Sequence, residues 1–273
     1  MIISSLASGS SGNSTLVCDS SGCVLVDMGI SVRKVRESLE SKGVNPARVS
    51  ALLITHGHTD HASGVHAFRR EFRVPVYGTY ETSDIYVEQK GGYGGYQEMG
   101  VEIDRFIKEG TVEQIGGMTV EAVRVSHDAR HPVAYFITSG SSTVSVITDL
   151  GESSPLLERR IQECKAVLIE ANHDPFLLQK GPYPEILKKR IRGARGHLSN
   201  IQTAGILKRS VSDEVPILLA HLSKVNNTPQ LAIQSVHGVL RESGIRIENI
   251  HAPESLQRSK GGQGLIEGHN FIR

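Results

Sequence analysis

The sequence predicts an α/β protein built as a layered sandwich, on three observations. Short apolar runs of strand length alternate with segments of helical period through both halves of the chain. Several of those runs end abruptly in a histidine or an aspartate, as expected where adjacent strands deliver side chains to a common site. The 273 residues contain no internal repeat, long linker or low-complexity tract, so one domain over residues 1–273 is the simplest division.

Taken in order, Thr15–Cys18 and Cys23–Asp27 read as a hairpin closed by Ser-Gly. Ser31 then N-caps a helix that carries Val32, Val35 and Leu39 on one face and stops at Gly43. Ala51–Thr55 is wholly apolar up to its last residue, hence a buried strand. Val65, Phe68 and Phe72 mark another helix. Between residues 110 and 150 the texture changes to hairpins, with strands over 118–125, 133–138 and 143–148 separated by Gly-Ser turns. The remainder reads helix, strand (Ala166–Glu170), loop, helix, strand (Val215–Ala220) and a helix after Pro229 bearing Leu231, Ile233, Val236, Val239 and Leu240.

Lys and Arg number 30 against 29 Asp and Glu, so no global field draws the chain to a polyanion, and nucleic-acid binding requires a local patch. No charged-then-apolar leader opens the sequence and no run of ~18 apolar residues occurs, so a soluble, cytoplasmic protein without membrane association is expected. In that compartment the three cysteines, Cys18, Cys23 and Cys164, are expected as reduced thiols, although Cys18 and Cys23 face each other across the hairpin.

The most informative stretch is His56-x-His58-x-Asp60-His61. Its histidines lie two apart at the mouth of a strand, where a loop folds them inward. So many imidazoles and carboxylates are costly to pack together without a cation, and they are suitable ligands for a divalent metal of intermediate softness. Three further strands end in ligand-capable residues: 123–125 leads to His127, 146–148 to Asp149, and 217–220 to His221.

The series His56, His58, Asp60, His61, His127, Asp149, His221 resembles the metallo-β-lactamase superfamily along the whole chain. The resemblance implies a four-layer αβ/βα sandwich with two divalent metal ions at one edge. His56, His58 and His127 would hold one metal, Asp60, His61 and His221 the other, and Asp149 would bridge them with a shared hydroxide as nucleophile. The metal-binding Cys of one β-lactamase subclass is missing at Asp149, which argues against antibiotic hydrolysis. All-N/O ligands suit zinc, manganese or iron alike.

Ligands of this kind serve phosphodiesters and thioesters equally, so other features choose the branch. Gly196-His197-Leu198-Ser199-Asn200 is a helix entry with Ser199 or Asn200 as cap, and its His197 exceeds metal needs. By resemblance to tRNase Z-like nucleases, Glu170 would orient His197, which would protonate the leaving oxygen or stabilise the scissile phosphate. Narrower still, Ser8–Ser14, Glu170–Asp174, Gly196–Asn200 and Ala220–Thr228 resemble the YycJ/WalJ (VicX) family, which is associated with 5′-to-3′ DNA exonuclease activity and DNA repair on manganese or zinc. Only 48 positions separate Asp149 from His197, too few for the second domain that RNase J-type nucleases insert there.

Local charge agrees with a polyanion. Lys180, Lys188, Lys189, Arg190, Arg192 and Arg195 crowd the run that leads into His197, against one acid, Glu185. The same run also reads as a solvated helix face. The Ser/Gly/Asn loop offers N–H groups and hydroxyls to a phosphate, and Tyr93 and Tyr96 offer rings to unpaired bases.

The expectation is therefore a dinuclear metal-dependent phosphodiesterase acting on DNA from the 5′ end. Asp60, Glu170 and His197 are its catalytic candidates, and Ser11, Asn13, Lys188, Arg192, Arg195, Ser223 and Asn226 its substrate-binding ones. The alternatives are an RNA-processing nuclease, a thioester or small-ester hydrolase of the glyoxalase II type, and a non-catalytic protein whose metals only staple the fold.

Overall fold

The computed structural model describes residues 1–83 and 100–253; Tyr93 and Tyr96 lie outside the described residues. Two sheets carry the chain. The first holds strands β1 (Ile2–Ala7), β2 (Ser14–Cys18), β3 (Cys23–Val26), β4 (Val49–Leu53), β5 (Val76–Gly78) and β6 (Arg105–Phe106) side by side in chain order. The second does the same with β7 (Val112–Ile115), β8 (Met118–Arg124), β9 (Val133–Ser139), β10 (Ser142–Ile147), β11 (Ala166–Glu170), β12 (Ile217–Ala220) and β13 (Ile250–His251). Each sheet begins antiparallel and turns parallel, at β3 in the first and at β10 in the second.

That switch is what creates the helical layers, because parallel neighbours need a crossover. Helices α1 (Val32–Ser41), α2 (Thr59–Ala62) and α3 (Val65–Phe72) fall between strands of the first parallel half, and α4 (Tyr80–Ser83) follows β5. In the second half the crossovers are α5 (Pro155–Gln162), then α6 (Pro175–Lys180), α7 (Glu185–Arg192) and α8 (Asn200–Ser210), then α9 (Pro229–Glu242).

Side-chain alternation assigns the layers. Val24 and Val26 of β3, with Ala51 and Leu53 of β4, point into a core shared with Val144, Val146, Ala166 and Leu168 of the second sheet. Leu25 and Leu52 point the other way, onto Val35 and Leu39 of α1 and Phe68 of α3. Val167, Ile169 and Leu219 pack beneath Leu157 of α5, Leu207 of α8 and Val236 of α9. The order is helix, sheet, sheet, helix, which is the four-layer αβ/βα arrangement. Strands covered on both faces read as unbroken apolar runs, and each fully buried Leu or Ile contributes ~1.5–3 kcal/mol.

Local signals act where expected. The Ser31 hydroxyl accepts the Lys34 N–H at 3.4 Å to start α1, and Gly43 follows the end of that helix at φ 66°. Among the features that differ from the sequence reading, three have a plain cause. Strand β1 is an additional edge, masked in the sequence because Ser4 and Ser5 interrupt its apolar pattern while being buried. Strand β12 begins at Ile217 rather than Val215, just after Pro216, which has no N–H for the ladder. Cys18 and Cys23 are joined in a disulfide, correcting the expected free thiols. The cause is register: the two residues are direct partners in the β2–β3 ladder, with Cα atoms 4.1 Å apart.

Candidate metal centre

Strand ends bring the histidines and carboxylates together. His56, His58 and His127 present ligand atoms within 4.8 Å of one another, and so do Asp60, His61 and His221. Asp149 joins His56 and His61 in a third such group, and Glu170, His197 and His221 in a fourth. Backbone conformation aims several of these side chains. Asp27, Asp149 and His221 follow strands at φ 64°, 51° and 53°, a left-handed turn that L residues enter at a cost and that clusters at functional sites.

What lies behind each imidazole decides which nitrogen faces the centre. His127 Nδ1 is 3.0 Å from the Gly196 carbonyl, which can only accept, so Nδ1 carries the proton. His61 Nδ1 donates to Asp27 Oδ2 at 2.7 Å and His221 Nδ1 to Glu170 Oε1 at 2.7 Å. Thr55 Oγ1 gives its own proton to Asp27 and so receives that of His56 Nδ1 at 3.0 Å. Four Nε2 lone pairs are thereby turned toward the centre, as when a metal-ligating histidine gives its other ring N–H to a carboxylate, hydroxyl or carbonyl behind it.

The lone pairs then confront one another. His56 Nε2 lies 3.0 Å from His58 Nδ1, and His127 Nε2 lies 3.3 Å from the same atom. Asp149 Oδ2 sits 2.8 Å from His61 Nε2 yet has no hydrogen-bond partner, nor do Asp60 Oδ1 and His221 Nε2, all of them buried. Buried polar atoms left unpaired at such density are expensive, and a divalent cation on this N/O donor set relieves them all at once. The residues present therefore fit divalent metal.

The electrostatics agree. Burial, reinforced by the neighbouring histidines, holds His56 well below the ordinary histidine range and His58 at about 3, and burial likewise lowers His127. These three are neutral at pH 7, the form in which an imidazole can bind a metal. Burial also opposes charge on His61, but Asp149, Asp27 and Asp60 outweigh it and raise its pKa well above the ordinary range; Asp149, Asp60 and Glu170 do the same for His221. That half of the centre demands positive charge. Asp149 is held well below the usual carboxylate range, burial being overcome by His221, His61 and His127.

The N-terminal loop props this centre from below. Asn13 Oδ1 accepts the Gly9 N–H at 2.8 Å, while Nδ2 lies 3.4 Å from Asp60 Oδ2 and 3.0 Å from His61 Nε2. Ser8 Oγ accepts the His221 N–H at 2.6 Å. Gly29 is required where it stands, since a Cβ there would come within 1.6 Å of the Asp60 carbonyl oxygen.

Glu170 accepts from His197 Nδ1 at 2.8 Å, the expected pair, and from His221 through the same oxygen. Its second oxygen accepts the Leu150 and Leu198 N–H groups. Burial would raise its pKa, yet His197 and the hydrogen bonds hold it at about 2. Glu170 thus positions two histidines through one oxygen and is itself anchored by two backbone N–H groups through the other. Ser199, rather than Asn200, caps α8, in a reciprocal box with Gln202.

The substrate-binding candidates divide. Asn13, Lys188 and Asn226 are buried: Lys188 Nζ donates to the Gln179 carbonyl at 2.8 Å, while Asn226 Nδ2 lies 3.5 Å from Ser223 Oγ and its Oδ1 has no hydrogen-bond partner. Arg192 bonds Gln179 Oε1 at 2.6 Å, and Ser11 Oγ accepts from Lys224 Nζ at 2.8 Å. Arg195 Nε donates to the His127 backbone carbonyl at 3.2 Å. Ser223 Oγ accepts the Asn226 N–H at 3.1 Å beside His197. Asp27 and Thr55 were missed, although Asp27 ends an apolar strand by the same rule that marked Asp149.

The family model of the metallo-beta-lactamase superfamily matches residues 7–162. "Exodeoxyribonuclease YycJ" of Bacillus anthracis is 34% identical over 243 residues, 89% of this chain and 90% of that protein. "Exodeoxyribonuclease WalJ" of Streptococcus pneumoniae is 33% identical over 89% of each. Among solved structures, the metallo-beta-lactamase fold protein YhfI from Bacillus subtilis superposes with a TM-score of 0.63 at 19% identity, over 93% of this chain and 96% of that one. The donor set, the layered sheets and these likenesses converge: the chain belongs to the metallo-β-lactamase superfamily of metal-dependent hydrolases and, within it, to the YycJ/WalJ-like family.

Proposed function

We propose that residues 1–273 form one cytoplasmic hydrolase domain that acts as a dinuclear metal-dependent 5′-to-3′ DNA exonuclease in DNA repair. The observation that carries the reading is the pairing of a seven-residue donor set with an additional histidine, His197, held by a buried carboxylate beside it. Relatives named as exodeoxyribonucleases, alike over 89% of the chain, support the substrate class, and the YycJ/WalJ resemblance supports the polarity.

His56, His58 and His127 would hold one cation and Asp60, His61 and His221 the other, with Asp149 between them. Zinc, manganese or iron bound there would lower the pKa of a water and neutralise charge on phosphoryl oxygens. The protein's own part is positional. His197 Nδ1 is spent on Glu170, so Nε2 is the atom that hands a proton to the departing oxygen, and Glu170 stabilises the imidazolium before the transfer. Arg195, Arg192 and Ser11 would contact the strand's phosphates, and Ser223, beside His197, the nucleotide next to the scissile bond.

Digestion of end-labelled single- and double-stranded DNA carrying a 5′ phosphate or hydroxyl, under each metal, tests the reading. Release of mononucleotides from the 5′ end is expected. Cleavage confined to RNA or to a glutathione thioester, or metal-dependent DNA binding with no cleavage under any metal, overturns it.

A further inference from the structure

Building on the nuclease reading, we propose that the cavity beside His197 is a seat for one nucleobase, that of the strand's terminal nucleotide. The cavity measures about 100 Å³. Leu187, Ile191 and the ring of Tyr183 form its apolar walls, and Asn172, Ser223 and Arg190 its polar ones. A nucleobase divides in the same manner, into faces that stack on apolar and aromatic side chains and an edge of hydrogen-bond donors and acceptors.

The polar groups are set to receive such an edge. Ser223 Oγ already accepts the Asn226 and Val225 N–H groups at 3.1 and 3.4 Å, so its own proton is left to donate. Asn172 spends Nδ2 on the His221 carbonyl at 2.9 Å, leaving Oδ1 to accept. Arg190 is steadied by Asp128, whose other oxygen lies 3.3 Å from His127 Nε2. His197 belongs to the cavity wall and stands 3.5 Å from Asp149 Oδ1, so the cavity opens directly beside the centre.

Size selects the occupant. Pockets that enclose whole drug-sized ligands run to ~300–1,000 Å³. A cavity of about 100 Å³ is nearer the size of one ring system than of a run of nucleotides.

Binding, rather than turnover, tests the assignment. The full metal-loaded chain is titrated with 2′-deoxyadenosine and 2′-deoxycytidine 5′-monophosphates and with 2-deoxyribose 5-phosphate, which lacks only the base. The nucleotides should bind at least about tenfold more tightly. Leu187→Trp, which fills the cavity, should bring that ratio close to one. Tyr183→Ala, which removes the ring without adding bulk, should reduce it several-fold and covers the case in which the tryptophan does not fold. Equal wild-type affinities, or a ratio that survives both substitutions, overturn the assignment. A wild type that degrades DNA from its ends but binds all three probes equally refutes the cavity alone; failure to cut DNA refutes the nuclease reading, while the binding ratio still judges the cavity.

Discussion

Asp27→Asn probes how far the metal centre depends on residues that never touch the metal. Asp27 is 2% exposed, and its two oxygens accept from His61 Nδ1 at 2.7 Å and from the Thr55 N–H and hydroxyl at 2.9 and 3.0 Å. An asparagine has one accepting atom for this work. If its NH2 faces His61, the imidazole must turn its lone pair to Nδ1 and present Nε2–H to the centre, which abolishes that ligand. If the NH2 faces Thr55 instead, two donors confront each other and the hydroxyl that orients His56 swings away. Either outcome disturbs a candidate ligand, and loss of a partner that orients a ligating imidazole costs about 10- to 100-fold in metal affinity, or ~1.4–2.7 kcal/mol. Competition of the folded protein against a chromogenic chelator, with zinc and with manganese, measures the change. Thr55→Val should weaken binding less, because it leaves the His61–Asp27 bond in place. Asp27→Asn affinities within about twofold of wild type would refute the reasoning that Nδ1 partners set the ligand tautomers.

Other consequences are open to measurement. His197→Gln should retain both the fold and the metal content while slowing DNA hydrolysis by roughly 10²–10⁴-fold, the usual worth of a positioned proton donor; metal analysis with single-turnover rates checks it. Glu170, lowered from its ordinary carboxylate value to about 2, contributes stability that is present above the unfolded-state pKa and lost as pH falls through about 2, so Glu170→Gln should flatten the acid limb of the unfolding profile between pH ~4.5 and 2. Chelation should lower the thermal midpoint, and acid should release metal, because the imidazoles must give up a proton to bind it; calorimetry and metal analysis across pH follow this. A thiol reagent should find no reactive cysteine in the native protein, since Cys164 is buried with its pKa pushed up to about 12, then one after denaturation and three after reduction as well.

Most of this protein was legible in one dimension because its site follows from strand topology. A strand buried on both faces is an unbroken apolar run, and where it leaves the core it must end in something polar; when that polar residue is His or Asp four times over, the ends declare a site. His56, His127, Asp149 and His221 were found in this way, as was the layering of the sheets. Partners on the far side of the imidazoles were not. The bond from Asp27 to His61 spans 34 positions and that from Glu170 to His221 spans 51, and nothing in local spacing couples them. Charge composition likewise shows how basic the run before His197 is, but not that Lys188 folds inward while Arg195 stays exposed and bonds the His127 carbonyl. Residue types and their period determined which chemistry the chain can hold. Only the tertiary structure decided which nitrogen of each ring faces it, because tautomer and orientation depend on contacts between strand ends that meet in space and not in sequence.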